Sequence, residues 1–556
     1  MVSRPISNWT DGRAGTIARR VGSGARERVR IDTRSLAAFR VALGLLIVAD
    51  ILLRSRNLTH FYTDHGVVPV ELAVAAEPVA AYSPYALVTS PRGVAVLFAL
   101  TALVGVALAL GYYTRQVTLV AFVLVVSLDA RNPFVLSFAD VLFATLLALA
   151  VFLPLGERWS IDAVTSDRPR RESITSVATA LVLGQIVIMY VVNGYHKTTS
   201  ELWRSGEAAV LVLGIDEITF LFGDALRAAP DLLQIGGFVW LIMLCLAWIL
   251  LVSRGRLRHL FVAAFAIAHL AMAFTVRIGA FSYVCLAGLL LFLQGSAWTD
   301  LGRAGRRVDR WLAEVDGSGS ENGESGDERR LTGARTRLLG VARRVPRPTL
   351  GAPSKLFATI RRRLPDLVAP HAFVVVGVAG VVLALLVAGG LSAVGVLDDD
   401  SPQAEVEAGT NALVEFQTDW SIFAPVPRTT DRYYVFPARA TDGTLVDAYN
   451  DRALSYDRPS ATLQTQHATY RERFYMASVV GDDEPVARHL AEHVCDTYRT
   501  ETDASLVRVE LYVVTEQITR ETISNPDARE RSASQVLAHN CGNDDSDPLP
   551  SPPESG

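Results

Sequence analysis

The chain holds two lysines against 51 arginines, and one of the two, Lys197, closes a long apolar run. Arginine stays protonated in a protein, whereas a desolvated lysine can release its proton. A lysine in a chain that otherwise uses arginine for positive charge reads as a candidate base. Its surroundings, MYVVNGYHKTTSELWRSGEA at 189–208, set Tyr190, Asn193, His196 and Glu201 beside it, followed by Trp203. Tryptophan is a common anchor at a membrane surface. A snorkelling lysine with an aromatic neighbour is the plainer reading of the same residues.

A second candidate group lies in HLAMAFTVRIGAFSYVCLAGLLLF, residues 269–292. His269 falls inside an apolar run, where an ionisable group is costly and marks a functional hypothesis. A histidine hydrogen-bonded to a neighbouring helix is the structural alternative. Gly279 and Phe281-Ser282-Tyr283 suggest a tight turn on the same side as Lys197. Asp140, in VLSFADVLF, is a further intramembrane charge, and Arg131 just before that run is its expected ion-pair partner. A proton relay through Asp140 is the sharper reading.

The elements that must position these residues are membrane helices. Half of the 556 residues are apolar, in runs long enough to cross a hydrocarbon layer. Spans are expected near 34–53, 93–112, 116–130, 135–154, 174–194, 233–252, 259–277, 279–295 and 372–396, the third and eighth being short. The first apolar run is a full span preceded by a polar, arginine-rich stretch, so no cleavable leader is expected. Arginines at 4, 13, 19, 20, 26, 28 and 30 put the N-terminus in the cytoplasm. With alternating spans, Arg115, Arg158, Arg254 and the basic stretch 296–371 also fall inside.

The organisation that follows is a basic cytoplasmic N-terminus (1–30), a membrane domain (31–296), a basic and partly disordered cytoplasmic linker (297–371), a final span (372–397), an extracytoplasmic domain (398–542) and a disordered tail (543–556). From Asp398 onward there are 29 acidic and 13 basic residues. The runs YYVFPARA and SLVRVELYVVTE read as strands, and PVARHLAEHVCDTYRTE reads as a helix. Trp420, Phe423 and the prolines after them suggest a wedge near the membrane surface. Cys495 and Cys541 are a possible disulfide pair in an oxidising compartment. His489 and His493 in HLAEHVC read as a solvated helix face, and no metal is expected. No phosphate-binding loop or nucleic-acid module is visible.

Five motifs occur in order: HFYTDHGVVP after the first span, GYYTR at 111–115, FLPLGERWSID at 152–162, and the Lys197 and His269 segments. Together they resemble the HTTM family, the membrane domain shared with vitamin K-dependent gamma-carboxylases, over residues 31–296. The resemblance implies a lysine that deprotonates vitamin K hydroquinone, whose oxygenation drives removal of a γ-proton from a peptide glutamate and addition of carbon dioxide. Lys197, three residues after Gly194, corresponds to that lysine, and His269 to the family histidine before the IGxFSY run. His196 would assist it, with Tyr190, Asn193, Gly279, Phe281 and Tyr283 around the quinone ring. Carboxylases carry a histidine before the fourth span, where Arg131-Asn132-Pro133 stands here.

The expected fold is thus an all-α polytopic membrane bundle of about 8–9 helices with a small C-terminal α+β domain outside the cell. Its expected cofactor is an isoprenoid quinone like vitamin K hydroquinone. The expected partners are the lipid bilayer and a peptide or protein substrate, with no nucleic acid. The alternative is a membrane scaffold without catalysis, whose acidic outer domain binds a protein or envelope partner.

Overall fold

The computed structural model describes residues 23–316 and 420–552, apart from 168, 482–483, 500–502 and 543–546. The expected ninth span, the N-terminal arginines before residue 23 and most of the linker lie outside the described residues.

The N-terminal part is helical. Its principal helices are α1 (Thr33–Arg54), α2 (Pro91–Leu110), α3 (Thr114–Arg131), α4 (Phe138–Ala150), α5 (Val177–Thr198), α6 (Pro230–Cys245), α7 (Gly255–Thr275) and α8 (Phe281–Leu289). Asp32, Ser90, Ser137 and Ser176 cap α1, α2, α4 and α5 by accepting hydrogen bonds from first-turn amides. Gly111, in the left-handed conformation, ends α2. A side chain at Gly44 of α1 would meet the Gly105 carbonyl of α2 at 2.5 Å, so these helices touch backbone to backbone. Close contact through small residues is how helices associate where no hydrophobic force separates them from lipid.

Among the described residues, four helices are long and apolar enough to cross a membrane: Thr33–Tyr62, Pro91–Leu110, Val177–Thr198 and Gly255–Thr275. A fifth span arises if α8 with its following turn is joined to α9 (Gly295–Asp316) across a bend of 108°. The expected count of eight to nine is therefore not reached by length and composition. Several expected spans are shorter or more charged than that test requires, as α4 has 13 residues, α6 has 16, and α3 carries Arg115, Asp129 and Arg131, while the expected ninth lies outside the described residues. The molecule is a membrane protein with a mostly helical membrane part.

A separate β-rich region follows. Strands β1 (Thr430–Val435) and β2 (Pro437–Ala440) run in succession along one edge of the long β5 (Leu506–Gln517), and β6 (Arg531–Asn540) pairs along the other. Two short strands, β3 (Leu445–Asp447) and β4 (Arg452–Ala453), extend the antiparallel sheet beyond β2. Helices α10 (Tyr470–Val480) and α11 (Glu484–Thr497) complete the domain. A disulfide joins Cys495 of α11 to Cys541 just after β6. Residues 547–550, expected as disordered tail, lie on the sheet instead. Arg439 donates to the carbonyls of Asp547 and Pro548, Tyr456 donates to that of Pro550, and Leu549 is buried.

The two ends of the bundle differ in chemistry. At one end arginines are bound by carbonyls: Arg40 donates to those of Ala109, Leu155, Arg158 and Trp159, and Arg258 to those of Arg28, Leu251 and Ser253. Asp162 there accepts from the amides of Tyr113 and Thr114, which ties GYYTR to FLPLGERWSID. The β-rich domain packs on the opposite end, where α5 delivers Lys197.

Candidate functional site

Lys197 occupies the last turn of α5 and is 2 % exposed. Its ammonium donates to the backbone carbonyl of Ile422, in the segment that leads into β1. It also stands 4.3 Å from the centre of the Trp203 ring, a cation–π contact. Among the described residues no carboxylate forms an ion pair with it. Asn193, one helical turn earlier, donates to the carbonyls of Trp420 (2.8 Å) and Ile422 (3.0 Å), and the Trp203 indole donates to that of Phe423 (2.8 Å). Three side chains of the membrane part thus grip one short stretch of the C-terminal domain. Trp420 and Phe423 both adopt positive φ, at 45° and 53°, which turns successive carbonyls toward these donors.

Beneath this cap lies a cavity of about 410 Å3, almost wholly apolar. Tyr190, Lys197, Trp203, Trp240, Phe281 and Phe423 are among the residues that line it. His269, in α7, is fully buried, and its Nε2 is 2.7 Å from the Tyr190 hydroxyl. The ring packs against Trp240 and Phe281, and Nδ1 has no hydrogen-bond partner among the described residues. Tyr190 lines the cavity and His269 stands behind it.

The structure divides the residues expected around a quinone. Tyr190, Asn193 and Phe281 line the Lys197 cavity. Gly279 and Tyr283 instead line a second, larger cavity bounded by α1, α7 and α8. His196 is absent from both linings, because adjacent helical residues point about 100° apart and Lys197 faces the cavity; its ring meets that of Tyr195 edge-on.

The expected Arg131–Asp140 pair does not form. Arg131 donates to the Val68 carbonyl (2.9 Å) and approaches Asp64 (3.4 Å), while Asn132 donates to the Phe61 carbonyl (3.0 Å). These bonds fasten RNP to the HFYTDHGVVP segment. Asp140 meets Arg54 of α1 (3.1 Å) and Arg471 of α10 (2.8 Å). Arg54 in turn holds Asp50 and Asp129, and Arg471 holds Asp50. Sequence proximity suggested the pair, but Ser137 caps a new helix that starts at Phe138, and Asp140 in its first turn meets Arg54 of α1. The signal for the true partner was Asp50 and Arg54, four residues apart at the end of an apolar run.

Sequence reading also missed the principal polar contact between the two parts. Asp216 and Glu217, in a loop following the helix Glu207–Gly214, enter the C-terminal domain, where both are buried. Arg458 binds Asp216, Arg428 binds Glu217, and Asp431 accepts from the amide of Asp216 (2.6 Å). Arg529 donates to Asp431 and to the Gly214 carbonyl. Burial pushes the Asp431 carboxyl up, with the neighbouring Asp216 charge adding to it. Burial also opposes ionisation of Glu217, yet Arg428, His467, Arg473 and Arg432 together hold it well below the usual carboxylate range.

With this geometry in view, a family model described as HTTM domain matches residues 29–298. No curated protein and no solved structure matches the chain.

Proposed function

From an HTTM domain that makes up the membrane part of this chain, we propose that the Lys197 cavity receives the ring of an isoprenoid quinone and that Lys197 acts as a base on it. The observation that carries this reading is a buried lysine, without a carboxylate partner among the described residues, at the wall of an aromatic, apolar cavity. Burying a cation in this way is costly, and lysine, unlike arginine, can meet the cost by releasing its proton. A cavity of about 410 Å3 accommodates a ring and the start of a chain.

Reduced quinone, when bound, supplies a hydroxyl proton and electrons for reaction with oxygen. As the neutral amine, Lys197 would accept a proton on the Nζ lone pair, which an N–H donated to the Ile422 carbonyl leaves free. Tyr190, fixed on one side by His269, presents its hydroxyl to an oxygen in the cavity. Trp240 and Phe281 exclude water and set the plane of a ring. The cavity does not recruit His196. We further propose a quinone-dependent carboxylase-like or epoxidase-like reaction on a peptide or protein substrate, with the N-terminus cytoplasmic and the C-terminal domain extracytoplasmic in the cell membrane.

A second reading is favoured by the Ile422 contact. If Lys197 serves only to anchor the C-terminal domain, the protein is a scaffold whose acidic domain presents a binding surface. Purified full-length protein in lipid, supplied with reduced menaquinone or vitamin K, oxygen and bicarbonate, separates the two. Quinone epoxide by mass spectrometry from wild type, and from neither Lys197→Arg nor Lys197→Ala, supports the base. Folded wild type yielding none with either quinone supports the scaffold.

A further inference from the structure

The larger cavity, about 930 Å3, is separate in character from the Lys197 cavity. Its lining runs along α7 from His259 near the arginine-rich end to Arg277 beyond the far end, a distance of roughly 25 Å at 1.5 Å per residue. That is close to the thickness of a bilayer's hydrocarbon layer, about 30 Å. Between these ends the wall is apolar, and it includes Leu45 and Leu53, both exposed on the outside of the bundle. Among the described residues the cavity is therefore a groove open to the side of the bundle.

One end is polar, and its charges are not equally satisfied. Asp50 and Asp140 are each held by Arg54 and Arg471. Arg56, which is exposed, and Arg277, which donates to the Gln464 carbonyl (2.9 Å), line the same end, and among the described residues neither forms an ion pair. Arg473 adds a third positive charge nearby, with its Nε buried and lacking a hydrogen-bond partner among the described residues. Glu472 is the acidic group felt by Arg277 at this point. Burial, followed by the like charges of Arg473 and Arg56, lowers the Arg277 guanidinium from its ordinary value. Such a cluster is destabilised by mutual repulsion and relieved by an anion. Arginine is suited to phosphate because its planar fork makes two parallel hydrogen bonds.

We propose that this groove is a binding site for a phospholipid-like anionic amphiphile, with its phosphate between Arg56 and Arg277 and its chain along α1, α7 and α8. The site is independent of Lys197 and of the quinone reading. Charge complementarity selects the anionic head, and the length and apolar lining of the groove select a membrane lipid over a free anion.

Native mass spectrometry of detergent-purified full-length protein tests this with three probes: phosphatidylglycerol, phosphatidylcholine of the same chains, and inorganic phosphate. Both lipids carry the phosphodiester, but the choline ammonium offsets its charge, so wild type should retain phosphatidylglycerol about tenfold better than phosphatidylcholine, or about 1.4 kcal/mol. Arg56→Gln with Arg277→Gln should bring phosphatidylglycerol down to the phosphatidylcholine level. Ala266→Trp, which fills the apolar wall, should reduce retention of both lipids, and Lys197→Ala should change neither. Equal retention of the two lipids by wild type would overturn the proposal, as would phosphatidylglycerol retention unchanged in the double variant. Retention of inorganic phosphate with no lipid preference would also overturn it, by assigning a free-anion site.

Discussion

The Lys197 ammonium donates to the Ile422 carbonyl across 225 residues of sequence, joining the last turn of a membrane helix to the C-terminal domain. The candidate base and the cover of its cavity are thus in direct contact. The hold on residues 420–423 therefore sets how Lys197 is covered.

Asn193 supplies two of the other bonds to that segment. Replacing it with leucine leaves the Trp420 and Ile422 carbonyls with fewer donors in a buried place, at a cost of about 1–3 kcal/mol. Hydrogen exchange should show loss of protection in residues 420–424 of Asn193→Leu, with little change in β5. Unaltered protection would mean that the segment is held by packing alone.

The ion-pair assignments can be checked by double-mutant cycles in detergent-based unfolding. Asp140→Asn with Arg471→Gln should couple by about 1 kcal/mol or more, because the pair is buried and in contact. Asp140→Asn with Arg131→Gln should be additive within about 0.5 kcal/mol. Coupling in the second cycle alone would restore the sequence-based pair.

Gly279 should be intolerant of alanine. Its φ is +62°, and an added Cβ would meet the Tyr470 ring at 2.3 Å. The strain and displacement together should cost about 1–3 kcal/mol, seen as a lower melting temperature. Because Tyr470 begins α10, the variant should also loosen the C-terminal domain from the bundle, detectable as faster proteolysis near residues 464–475.

Stability should fall in acid through Glu217. Its folded carboxyl is held below the unfolded value, so its contribution is complete above about pH 4.3 and is lost as pH falls through the folded value. Asp431 and Glu516 work in the opposite sense: burial raises both, so their contribution is present at low pH and fades as pH rises. Comparing wild type with Glu217→Gln isolates the first effect. The variant should be less stable by about 3 kcal/mol at neutral pH, and should lose less on acidification. Parallel stability curves would show that Glu217 does not carry the acid dependence.

The sequence alone was enough for the membrane class, the HTTM resemblance, the strand and helix segments of the C-terminal domain, and for singling out Lys197 and His269 as candidates. Each rests on a local signal: apolar run length, motif order, alternation, or a rare residue in an apolar setting. Tertiary structure decided the rest, because partners distant in sequence leave no local mark. It placed Ile422 over Lys197, set Tyr190 between His269 and the cavity, and gave Asp140 to Arg54 and Arg471. It separated Gly279 and Tyr283 from Phe281, although they lie within five residues, because a turn and a new helix send them to different walls. Buried charges must find partners wherever the fold brings them, and only the packed arrangement of helices and sheet selects which ones meet.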